Sequence, residues 1–259
     1  MDKICREIVN ATIKNPSLWL VIDFDDVIMY TSQATRERDE ELSVKAGLSK
    51  EELLEISKES REENTFGKKT FSISKFSQKI KEKTKNAGLV DEIINNANYA
   101  KFINQSIKKL LLAVKSCIED AKISILTFGE VEFQKLKVSE TGIKDFVDEV
   151  VYTIGPKKEV VEEKMREYGV KVPFLITIDD SPDNIDDYEK MNIKNYINIR
   201  FKHPLAKTYN DPHNAKEVFV GHELSQNQAA VDIWKIIAEK FSVSQPDIAK
   251  WEKVIKEAE

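Results

Sequence analysis

The sequence predicts an α/β fold, a parallel sheet flanked by helices and interrupted by a helical insertion. Three observations predict it. Five short apolar runs occur at 18–24, 123–127, 147–153, 174–178 and 196–199. Helical patterns separate the last four, and strands alternating with helices imply parallel strands joined by crossovers. The first two runs are separated by about ninety residues, far more than a strand-to-helix connection needs.

The first of these elements is a helix over 2–14, ended by Asn15-Pro16. LWLVIDF at 18–24 is apolar almost without interruption, as in a strand covered on both faces. The long gap reads as helices near 34–46, 49–63, 73–86, 90–99 and 101–120. In the last, Ile103, Ile107, Leu110, Val114 and Cys117 form one apolar stripe. The expected organisation is a core of 1–31 and 101–259 with a helical insertion at 32–100. Within the insertion, residues 64–85 carry seven lysines against the single acid Glu82, with Phe66, Phe71, Ile73 and Phe76 interleaved. That stretch is either a solvated helix face or a patch that attracts an anionic ligand. Near the C-terminus, Trp234, Ile236, Ile237 and Phe241 fall near helical spacing and read as packing residues, with Trp251 extending them or marking a partner surface.

Composition narrows the function classes. A chain of 259 residues with 33% charged residues and net charge −5 is that of a globular protein and not of a general nucleic-acid binder. No apolar run approaches the ~20 residues of a membrane helix. The start, MDKICREIVN, does not read as a secretory signal. Two cysteines are too few for a disulfide framework, and a cytoplasmic location is expected. His203, His213 and His222 lack metal-ligand spacing, and Arg200 reads as a structural ion-pair residue.

The chemistry concentrates at two strand ends. The first strand closes in Asp23-Phe24-Asp25-Asp26, and the run at 174–178 is followed by Asp179-Asp180. Ligands of open parallel sheets bind beyond the carboxyl ends of the strands. If the two strands are neighbours, four carboxylates converge there. Two like charges ~4 Å apart repel by about 4 kcal/mol at an effective dielectric of 20. Such a cluster calls for a cation, and its hard oxygen donors suit Mg²⁺.

These residues carry a resemblance. VIDFDDVI, ISILTFGE, GPKKEVVEEKMREYG and IDDSPDNID follow the order of the four signatures of the haloacid dehalogenase-like hydrolases. The match spans residues 18 to about 190, with Phe128 in place of the usual Asn. The resemblance implies a Rossmann-like core with strand order 5-4-1-2-3 and a helical cap of the C1 type. It implies Asp23 as the nucleophile that forms an aspartyl phosphate, and Asp25 as the general acid and base. Thr127, with Gly129, would hold phosphate oxygens, and Lys157 (or its neighbour Lys158) would add positive charge. Mg²⁺ would be held by Asp23, Asp25 through its carbonyl, Asp180 and Asp179.

The dehalogenase branch lacks the second aspartate of the first signature, so Asp25 favours a phosphate ester. A large cap of this kind implies a small phosphorylated metabolite, a nucleotide, sugar phosphate or phosphoglycolate; Lys68, Lys69 and Lys75 of the basic stretch are candidate substrate contacts. No nucleic-acid or membrane partner is expected, and the protein is expected to be a monomer or homodimer. The alternatives are a phosphotransferase and a non-catalytic phospho-ligand-binding protein on the same fold.

Overall fold

The computed structural model describes residues 4–10, 16–95, 97–168, 173–193, 195–201 and 226–258. The three histidines fall outside them. Six strands form one sheet: β1 (Ile4–Ile8), β2 (Leu18–Ile22), β5 (Ala121–Phe128), β6 (Glu149–Thr153), β7 (Phe174–Asp179) and β8 (Tyr196–Arg200). Their order is β1-β6-β5-β2-β7-β8. The five strands from β6 to β8 are parallel neighbours and reproduce the expected 5-4-1-2-3 order read from the other edge. β2 lies between β5 and β7, and every residue of LWLVI is buried, as in a strand covered on both faces.

One expectation is overturned at the N-terminus. Residues 4–8 are not helical but form β1, antiparallel to β6. Ile4 and Ile8 stand four apart, a spacing that satisfies a helix and a strand equally. Alternation decides it here: Ile4 packs on one face of the sheet and Cys5 on the other. The edge of β6 pairs with these residues, so their backbone groups are satisfied by the sheet while Ile4 and Cys5 pack on its two faces.

Helices cover both faces. On one side lie α5 (Gln105–Cys117), α9 (Gln226–Lys240) and α10 (Gln245–Lys256), packed on one another. Asn104 caps α5, its side-chain oxygen accepting from the Ile107 N–H at 3.2 Å. The stripe predicted for α5 is buried at Ile107, Leu110 and Val114, and Trp234 and Ile237 of α9 are fully buried against it. Phe241 and Trp251 pack on the same core. On the other face, α7 (Lys157–Tyr168) and α8 (Pro182–Glu189) build a smaller apolar cluster around Trp19, Val161 and Leu175.

The insertion leaves after β2. It contains α1 (Thr31–Ala46), α2 (Lys50–Glu59), α3 (Ile73–Lys83) and α4 (Ala87–Asn95) around its own apolar cluster, with Leu42, Leu53, Ile56, Phe76, Ile80 and Val90 at its centre. The expected helix over 49–63 stops at Glu59. Residues 61–63 (β3, Arg61–Glu63) instead pair with β4 (Lys69–Phe71) in a short hairpin. Its turn is fixed by Asn64, whose carbonyl accepts from Gly67, and by Gly67 at φ +68°. Three of the seven lysines in the basic stretch are paired with acids outside it. Lys75 pairs with Glu62, Lys79 with Glu59 and Lys81 with Asp91. The outgoing and returning chains of the insertion are tied together: the Tyr30 N–H donates to Phe102, and Asn104 donates to the carbonyls of Ile28 and Val27.

Candidate active site

The site lies where the carboxyl ends of β2, β5 and β7 meet, the central position of the sheet. Asp23 follows β2 directly and is 6% exposed. One of its carboxylate oxygens accepts from the Phe24 N–H at 2.6 Å, and the other meets Lys157 Nζ at 2.7 Å. Lys157 opens α7, is itself buried, and also reaches Asp179 at 2.9 Å. Lys158 instead points to Glu162 and the Lys190 carbonyl near the surface. Asp179 is further held by the Ser181 N–H and the Asn184 amide. Carboxylate oxygens of Asp23, Asp179 and Asp180 all lie within 4.8 Å of one another.

This packing sets the electrostatics. Burial, followed by repulsion from Asp179 and Asp25, pushes the Asp23 carboxyl upward despite Lys157. Asp180 moves the same way, through burial and then through Asp23 and Asp179. Burial opposes the charge of Lys157, but Asp179 and Asp23 outweigh it and hold the ammonium well above its usual range. One ammonium thus faces three crowded carboxylates, an excess of negative charge built from hard oxygen donors. The donor set fits a divalent cation of the Mg²⁺ kind.

Asp25 occupies a different setting. Its carboxylate accepts from Gln134 Nε2 at 2.9 Å and is bound by Thr31 Oγ1 and by Lys137 Nζ. Burial would raise its pKa, but Lys137, Thr31 and Gln134 more than offset this and lower it. Neither Lys137 nor Gln134 stood out in the sequence as a site residue. Both come from α6 (Val131–Glu140), and Lys137 is only 2% exposed. A charged residue on a short helix after a strand ending in Thr127 reads as solvated surface unless the facing carboxylate is known. Asp26, at φ +56°, turns the chain after β2 and accepts from the Ser32 N–H and hydroxyl, fixing the start of α1.

Thr127 is fully buried, and its hydroxyl has no hydrogen-bond partner among the described residues. Such a group is costly to leave unsatisfied, and it lies at the C-terminal end of β5, next to the carboxylate cluster. Gly129 follows at φ +149°, and a Cβ there would lie 2.7 Å from Gln134 Nε2, the atom that holds Asp25. Gly129→Ala should therefore displace Gln134. We expect a stability loss of about 1–3 kcal/mol and a fall in turnover, read by thermal melting and steady-state kinetics; a variant matching the parent in both would refute this packing role.

Of the three insertion lysines, Lys69 lines a cavity beside Asp25. Lys68 places its Nζ 5.7 Å from the Phe128 ring. Lys75 is occupied by Glu62 and does not line that cavity.

Solved structures share this architecture. The chain superposes on a protein from Burkholderia xenovorans described as a haloacid dehalogenase-like hydrolase, with TM-score 0.58, 15% identity, and 71% of this chain and 84% of that one covered. It superposes on a HAD phosphatase from Thermococcus onnurineus with TM-score 0.55, 16% identity, and 84% and 96% covered. The fold is that of the haloacid dehalogenase-like hydrolases. A dehalogenase with an intermediate complex also matches, with TM-score 0.51, 16% identity, and 85% and 97% covered. Proteins described as a phosphatase and as a dehalogenase thus share this fold. No protein-family model and no curated protein matches the sequence. Among the described residues, no helix is long and apolar enough to cross a membrane.

Proposed function

We propose that the protein is a Mg²⁺-dependent phosphohydrolase that cleaves a small phosphomonoester through an aspartyl phosphate on Asp23. The observation that carries this reading is the convergence of Asp23, Asp179 and Asp180 around Lys157. An attack on carbon by one carboxylate needs no such triad. An attack on a phosphate dianion needs positive charge to offset repulsion between nucleophile and substrate. Asp25 supports the same choice, since a leaving alkoxide needs a proton donor close to the nucleophile.

In this reading an Asp23 oxygen attacks phosphorus, and the bond to the leaving oxygen breaks. Asp25 supplies the leaving oxygen with its proton, then takes one from the water that attacks the aspartyl phosphate. Lys137 and Thr31 hold Asp25 as a carboxylate, the form that accepts a proton. Donation requires Asp25 first to leave Lys137 and take up a proton from solvent, which it then passes to the leaving oxygen. Thr127 would donate its free hydroxyl to a phosphate oxygen, and Lys157 would hold both nucleophile and phosphoryl group. Asp23, Asp180 and the Asp25 carbonyl, with Asp179 behind them, would hold the Mg²⁺, which supplies Lewis-acid charge to the phosphoryl oxygens. The insertion would act as a cap that shields the site from bulk water. The substrate would be a phosphorylated metabolite such as a nucleotide, sugar phosphate or phosphoglycolate.

The test is hydrolysis of p-nitrophenyl phosphate and a panel of phosphorylated metabolites, with and without EDTA. Turnover should require Mg²⁺ and stop on chelation. Full activity in EDTA would overturn the metal dependence, and no turnover of any phosphomonoester would overturn the phosphatase reading.

A further inference from the structure

A cavity of about 290 Å³ lies between the insertion and the core, and its lining includes Asp25. Its charge is uneven. Arg38, Arg61, Lys69 and Lys137 line it, against Asp25 and Glu130. Asp25 is paired with Lys137 and Arg38 with Asp39, while Glu130 accepts from the Ile73 N–H at 2.9 Å and the Ser72 hydroxyl, so the unanswered positive charge is that of the rim. Arg61 and Lys69 form no ion pair among the described residues.

Arg38 is the built element. It is only 8% exposed, on α1, and its guanidinium lies 4.5 Å from the Phe76 ring centroid and 5.7 Å from that of Phe71. Asp39 takes its Nε and Nη2 at 3.0 and 2.8 Å, which leaves Nη1 without an acceptor among the described residues. A guanidinium packed against two aromatic rings and held by Asp39 is oriented before any ligand arrives, so less entropy is lost when it binds one. Nothing in hydrolysis of a simple phosphate monoester calls for it. The phosphoryl group is provided for by Asp23, Thr127 and Lys157.

We propose that this cavity is a subsite for a second negatively charged group, a carboxylate or a second phosphate carried on the leaving group, with Arg38 as its principal ligand and Arg61 and Lys69 at its rim. The inference rests on the phosphatase reading and narrows it to phosphomonoesters that are anionic at both ends. The cavity volume sits at the lower end of the range for small-molecule sites, so the leaving group is compact. Phe71, Phe128 and Phe133 give its carbon skeleton an apolar wall.

The experiment compares matched pairs: 2-phosphoglycolate with ethyl phosphate, and propane-1,3-diol bisphosphate with its monophosphate. The member with the second anionic group in at least one pair should have the higher kcat/KM by roughly 10- to 100-fold, the worth of one charge-assisted contact. The first pair reports a carboxylate and the second a phosphate. Arg38→Met should bring the ratio close to one. Arg38→Lys, which keeps the charge but not the fork, should give an intermediate ratio. Because Arg38 packs inside the insertion, Arg61→Ala and Lys69→Ala at the exposed rim serve as variants that need no core repacking. Each should lower the ratio by about two- to fivefold. Calorimetric binding of the same pairs needs no turnover. If no ester is hydrolysed, the phosphatase reading falls and the binding ratio alone decides the subsite. A ratio near one in both pairs, by rate and by binding, would overturn the inference, as would an unchanged ratio in folded Arg38→Met.

Discussion

Asp23→Asn is expected to reduce phosphomonoester turnover by at least ~10⁴-fold, because loss of the nucleophile in covalent catalysis removes nearly all of the rate enhancement. Asparagine keeps the size and the contact with the Phe24 N–H but cannot accept the phosphoryl group. The same change removes one of three crowded carboxylates, so the metal-free variant should melt no lower than the parent. That pairing of lost activity with undiminished stability separates a chemical role from a structural one. Beryllofluoride, which mimics an acyl phosphate, should bind the parent and fail to bind the variant by fluorine NMR. Retained turnover, or an adduct on another residue, would end the assignment.

Lys157→Met is expected to have the second large effect, and on two scales. The lysine is 3% exposed and bridges Asp23 and Asp179. Removing one partner of a buried ion pair leaves uncompensated charge and costs about 3–5 kcal/mol. For a chain of this size that is roughly 6–20 °C in melting temperature. Turnover should fall by ~10²–10³-fold, the usual cost of losing a preorganised positive group at a developing anion. Mg²⁺ should restore part of the melting temperature, because a cation answers the same repulsion. It should not restore the rate. A variant that melts within a degree of the parent would show that the carboxylates do not depend on this ammonium.

Much of this was legible in the sequence, for reasons that differ from residue to residue. Asp23 and Asp179 were visible because each directly follows an apolar run, and a buried strand has a known end. The parallel pairing followed from the alternation of those runs with helices, whereas the strand order came only with the resemblance to the haloacid dehalogenase-like hydrolases. Strand β1 was not legible, since Ile4 and Ile8 fit both periods and only the open edge of β6 chooses between them. The β3–β4 hairpin was hidden because Arg-Glu-Glu continues a helix as readily as it forms a three-residue strand. Lys137 and Arg38 were invisible for a further reason. A lysine or arginine in a helix has no local mark of burial, and what buries these two is a carboxylate or an aromatic pair from elsewhere in the chain. Lys75 shows the converse, a lysine chosen for its place in a basic stretch whose charge is already answered by Glu62.

The pinning of Tyr30 to Phe102, and of Asn104 to Val27 and Ile28, makes the four-helix insertion an excursion whose two feet stand side by side on the core. Chain length between such feet adds only logarithmically to the entropy of closing the loop. The size of the inserted body is therefore decoupled from the folding of the sheet beneath it. The core could carry a shorter or a longer body on the same two feet with little change in its own stability. Substrate choice and catalytic chemistry would then be free to diverge at separate rates within one chain.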